Sequence, residues 1–102
     1  MLASTTQALS ESPEVQDEAD LKARVLRADH FRVGLADRGR GYLHVQLRIL
    51  AGRTPEAKKD LSRRVADALH GHLKALPPGL EAFLSVEVVD MDRGSYTKVK
   101  LA

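Results

Sequence analysis

The sequence predicts an α/β (α+β) fold of βαβ units, one complete and one lacking its first strand, packed as a sheet with helices on one face. Three observations carry this expectation. Residues 42–50 and 83–91 alternate apolar and polar side chains, the signature of half-buried strands. The stretch between them carries an apolar stripe at three- and four-residue spacing. Near the amino terminus lies a short helical stretch with no strand of its own ahead of it.

Bulk properties bound the rest. The chain has 102 residues, enough for one small domain spanning 1–102. A domain this short buries a modest core, so a partner subunit is expected. It is 43% hydrophobic and 29% charged, a globular composition. Sixteen Lys and Arg against fourteen Asp and Glu leave a net charge of +2, too little to argue for nucleic acid. The absence of cysteine excludes disulfides and thiolate metal sites. The opening MLASTTQALSESPEV has neither the basic start nor the apolar run of a signal peptide. No stretch approaches the ~18 consecutive apolar residues of a spanning helix. A cytoplasmic protein without membrane or nucleic-acid partners is expected.

The elements follow in order. Residues 2–10 read as a helix anchored by Leu2 and Leu9 and stopped by Ser10, Ser12 and Pro13. The acidic stretch PEVQDEAD (13–20) reads as a solvated loop. LKARVLRADHFRVG (21–34) reads as one or two short strands at a sheet edge, with Val25, Leu26, Phe31 and Val33 as apolar points. LADRGRG (35–41) is a loop. In the strand YLHVQLRIL (42–50), Leu43, Val45, Leu47 and Ile49 share one face, and Tyr42, His44, Gln46 and Arg48 the other. Thr54 is a helix N-cap, Pro55 suits the first helical position, and Glu56 favours the dipole. The helix is expected to run to about Leu76, with Ala57, Leu61, Val65, Ala68, Leu69, Leu73 and Leu76 as its stripe, and to stop at Pro77, Pro78 and Gly79. In FLSVEVVDM (83–91), Leu84, Val86 and Val88 face the helix while Ser85 and Glu87 point away. Strand, helix, strand implies parallel pairing with a right-handed crossover. The tail DRGSYTKVKLA (92–102) reads as a turn and an extension that pairs with another subunit.

Arg53 is the leading candidate for chemistry. It stands between a glycine and a capped helix, where a guanidinium matches a carboxylate. The alternatives are an exposed loop arginine, or one paired with an acid of its own fold. His70 and His72 are two apart on a helix and point about 200° apart, so they cannot share a metal. His44 is expected to be hydrogen-bonded within the sheet or at an interface. Glu87 and Asp90 fall on opposite strand faces and form no carboxylate pair. Lys22, Arg24, Arg27 and Arg32 are either a phosphate cluster or a solvated strand edge. Two Tyr, two Phe and no Trp leave few stacking platforms for single-stranded nucleic acid.

At these residues a family likeness enters. YLHVQLRILAGRTPEAKKDLS (42–62) followed by LSVEVVDMD (84–92) resembles 5-carboxymethyl-2-hydroxymuconate isomerase of the tautomerase superfamily. DLKARVLRADHFRVG (20–34) resembles the family segment that precedes them, and the likeness covers roughly residues 2–98. It implies a tautomerase-like domain of two βαβ units, assembled as a homotrimer and working in aromatic-compound catabolism without a cofactor. The implied reaction shifts a proton in an unsaturated keto diacid such as 5-carboxymethyl-2-hydroxymuconate. The implied base is the amine of an N-terminal proline, and the implied substrate-binding residues are Arg53, Arg24 and, where the family has another arginine, Lys22.

The sequence departs from the family at its start. The family opens with proline and a strand, whereas this chain opens with Met1-Leu2-Ala3, already in the first helix. Pro13 has no free amine. No catalytic base is therefore assigned, and the chain as it stands is expected to be inactive. Either the true start lies upstream, which is the expectation, or the chain is a relative without its base. The alternative function is a non-catalytic βαβ module that binds small carboxylates or regulates a partner; a nucleic-acid role for the 22–40 basic residues is the weakest reading.

Overall fold

Side-chain alternation produces two strands, β1 (Arg40–Leu50) and β2 (Glu81–Met91), in a computed structural model that describes residues 1–102. Both begin two residues earlier than the apolar alternation predicts. Backbone pairing explains the extension: Arg40 and Gly41 lie opposite Glu81 and Ala82. Glu81 N–H also donates to the Gly39 carbonyl at 2.8 Å. The strands are parallel and form a two-stranded sheet, in register from Arg40–Glu81 to Leu50–Met91.

Two helices share one face of this sheet. The first, α1 (Leu2–Ser10), follows no strand within residues 1–102. The second, α2 (Pro55–Leu73), joins β1 to β2 and completes the βαβ unit. Thr54 caps it as expected, its Oγ1 accepting from Ala57 N–H at 3.1 Å. The helix stops at Leu73, three residues short of the expected Leu76. Leu76 precedes Pro77, and the ring of that proline disfavours helical backbone at the residue before it.

The core sits where the stripe of α2 meets the sheet. Leu61, Val65 and Leu69 are buried at four-residue spacing, joined by Leu9 from α1. Leu43, Val45, Leu47, Ile49, Leu84 and Val86 pack beneath them from the strands, and Leu21 closes one side. The opposite sheet face, carrying Tyr42, His44, Gln46, Phe83, Ser85 and Glu87, is uncovered. No helix is long and apolar enough to cross a membrane.

The edge strands expected within 21–34 do not form. A 3-10 turn at Glu18–Asp20 leads into chain with no ladder partner. The mixed pattern there offers no alternating face to lay on a core, and Val25 and Leu26 remain exposed. Phe31 packs edge-on against Tyr42 of β1, with ring centroids 6.0 Å apart. The tail has no strand either; Lys98 ties it to Asp20.

Candidate functional site

Parallel pairing sends both strands out at the same end of the sheet, so the residues following β1 meet those following β2. Ala51 N–H donates to the Met91 carbonyl at 2.9 Å, and Arg93 Nε donates to the Ala51 carbonyl. Between Ala51 and Arg53 the backbone turns through Gly52 at φ +117°, a conformation that side chains disfavour. Arg53 is fixed rather than loose. Its Nη1 donates to the Leu50 carbonyl at 2.8 Å, and its Nε lies 3.4 Å from Glu14 Oε1.

Glu14 arrives by way of the turn after α1. Ser12 is buried there, and its Oγ accepts from Glu14 N–H at 3.1 Å. Together these segments enclose an open hollow of about 340 Å³. Its rim includes Glu14, Gln16, Gly52, Arg53, Thr54 and Arg93. Two guanidiniums and one carboxylate line it, so the hollow suits an anion of carboxylate type.

The other expected residues lie elsewhere within the chain. Lys22 Nζ donates to the Ala19 carbonyl at 3.1 Å, and Arg24 is exposed on the irregular stretch; neither lines the hollow. Arg32 serves its own loop, donating to the carbonyls of Gly34 and Leu35. His72 Nε2 lies 2.8 Å from Ser4 Oγ, a contact that ties α2 to α1. His44 bridges the strands as expected, with Nδ1 2.7 Å from Ser85 Oγ and Nε2 2.5 Å from Glu87 Oε2. Asp90 turns to the helix side and meets Lys58 Nζ at 3.2 Å. No group of three or more His, Cys, Asp or Glu side chains is placed to hold a metal ion.

Glu14 and Arg93 escaped sequence reasoning. The acidic stretch holding Glu14 gives no local sign that its turn folds back onto α2. Arg93 carried a usable signal: in a parallel pair, residues just beyond the two C-terminal ends become neighbours.

The family model described as 5-carboxymethyl-2-hydroxymuconate isomerase matches residues 1–101. No curated protein matches the chain.

Proposed function

The chain belongs to the 5-carboxymethyl-2-hydroxymuconate isomerase family, and from that premise we propose that it serves a proton-shift isomerisation of an unsaturated keto acid bearing two or more carboxylates in aromatic-compound catabolism. The observation that carries this reading is the placement of Arg53, locked by the Leu50 carbonyl at the rim of a hollow. A guanidinium held by its own backbone loses little freedom on gripping a carboxylate, and its planar fork orients the bound acid. It also favours negative charge building on a dienolate as the proton moves.

A guanidinium does not shuttle protons near neutrality. The family likeness assigns the base to an N-terminal proline, so the part proposed for Arg53 is to hold and orient the acid. A second reading, a non-catalytic carboxylate-binding module, draws on the same hollow lined by Arg53, Arg93 and Glu14.

Assembly as a homotrimer belongs to the proposal. The chain exposes 8165 Å², whereas a compact monomer of its 11.2 kDa exposes about 5,700 Å². Its radius of gyration is 15.8 Å, against about 13 Å for a compact chain of this length. Leu26, Leu35 and Leu101 are 80%, 90% and 85% exposed. Neighbouring copies would cover such surface. They would also bring the extended stretch of one copy, with Lys22 and Arg24, towards the hollow of another.

Calorimetric titration with trans,trans-muconate, a stable unsaturated diacid, tests the reading. Arg53→Ala should weaken binding about tenfold or more, the scale of one charge-assisted contact. Unchanged affinity in that variant would overturn the site assignment. Ultraviolet assay with 5-carboxymethyl-2-hydroxymuconate separates isomerase from binding module: turnover that Arg53→Ala lowers is expected only in the first case.

A further inference from the structure

We infer that Arg93 is the specificity-determining residue that makes this hollow a dicarboxylate site, and that Glu14 is the internal carboxylate which the incoming acid displaces from Arg53. The inference rests on the Arg53 reading above and extends it to two residues that the family likeness leaves unassigned.

The two arginines are in different electrostatic states. Arg53 already faces a carboxylate, Glu14, at 3.4 Å. Seven ion pairs form in the chain, and Arg93 takes part in none of them. Yet Arg93 is oriented: its Nε donates to the Ala51 carbonyl, and its guanidinium passes Gly52 so closely that an added Cβ would sit 3.5 Å from Nε and 3.7 Å from Nη2. The side chain is thus laid along the rim, with its terminal nitrogens left without an acidic partner.

With Arg53, Arg93 and Glu14 on its rim, the hollow carries one uncompensated positive charge. A monocarboxylate can neutralise it at Arg93 alone. A dicarboxylate can engage Arg93 with one end and take Arg53 from Glu14 with the other. The freed Glu14 is about one-third exposed and can turn to water at little cost. The volume of about 340 Å³ is at the small end of ligand sites and suits a diacid of a few carbons. Glu14 thereby sets a threshold, since an acid that cannot reach both arginines gains nothing from displacing it.

The test compares trans,trans-muconate with sorbate, the same six-carbon diene with one carboxylate fewer, by calorimetry on the full 102-residue chain at low salt. Wild type should prefer muconate about tenfold. Arg93→Gln should abolish that preference, and Arg93→Lys, which keeps the charge but loses the fork, should retain part of it. Glu14→Gln should tighten both ligands several-fold. A muconate-to-sorbate ratio unchanged in Arg93→Gln, with circular dichroism showing an intact fold, would overturn the inference. If Arg53→Ala weakens muconate while Arg93→Gln leaves the ratio alone, only this inference fails; if Arg53→Ala has no effect, or wild type binds neither acid, the carboxylate-site reading fails with it.

Discussion

Glu14 Oε1 lies 3.4 Å from Arg53 Nε, joining the turn after α1 to the turn that opens α2. Both side chains are partly exposed, 34% and 24%, so the pair itself contributes little stability. Glu14→Gln should change unfolding free energy by less than about 1 kcal/mol. Arg53→Ala loses the bond to the Leu50 carbonyl as well and should cost about 1 kcal/mol. Urea unfolding of the two variants checks the order; a larger loss in Glu14→Gln would mean that the pair holds the fold rather than the site.

The cap on α2 should be worth more than the ion pair. Thr54 Oγ1 accepts from Ala57 N–H, and α2 supplies three of the four buried core side chains. Thr54→Ala should therefore lower stability by about 1 kcal/mol, whereas Thr54→Asp, which can make the same bond, should stay near wild type. Equal losses in the two would show that the cap bond is not what matters there.

Legibility of the sequence followed the range of the interaction. The strand around His44 and the stripe of α2 were readable because alternation and three-to-four spacing are local consequences of backbone geometry. The turn holding Arg53 was readable because Gly52, Thr54 and Pro55 each have local conformational reasons to be there. Glu14 was not readable, since its role depends on a turn built around the buried Ser12 folding back onto α2. The stretch holding Lys22 and Arg24 forms no strand, because its apolar points have no partner to pair with.

The core is small enough for single truncations to be severe. Val65 is fully buried, and Leu61 and Leu69 are each 3% exposed. Leu69→Ala should cost about 3 kcal/mol, by lost burial and an unfilled cavity. Leu26→Ser, at a position 80% exposed, should leave the urea midpoint of a single copy unchanged. A large effect of Leu26→Ser that grows with protein concentration would instead place that residue in an interface.

The tail should be tethered across a broad pH window. The hydrogen bond from Lys98 holds the Asp20 carboxyl below its ordinary 3.8, and the same bond holds the Lys98 ammonium above its ordinary 10.5. The Asp20 contribution is complete above 3.8 and is lost as pH falls through the lowered value. The Lys98 contribution is complete below 10.5 and is lost as pH rises through the raised value. Both groups are exposed, so the effect should appear in the tail and not in global stability. Protease cleavage within residues 95–102, corrected for enzyme activity, should stay slow between those limits. Asp20→Asn should make it fast at pH 7, and equal rates in wild type and variant would remove the tether.

The uncovered sheet face should be the surface through which copies associate. Tyr42 and Phe83, opposite one another in register, are 53% and 49% exposed. A face can be buried only if its polar groups keep partners. His44 meets that condition already, because Ser85 and Glu87 occupy both ring nitrogens. An aspartate in place of Tyr42 would remove an apolar ring and add a carboxylate that assembly must take out of water, which is unfavourable. Light scattering should therefore give about three times 11.2 kDa for wild type and 11.2 kDa for Tyr42→Asp. Glu87→Gln, which keeps a hydrogen-bond partner for His44, should remain assembled. A wild type that stays at 11.2 kDa at micromolar concentration would end the trimer proposal. Assembly undisturbed by Tyr42→Asp would move the interface to another face, leaving the extended stretch and the tail as the surfaces that hold the copies together.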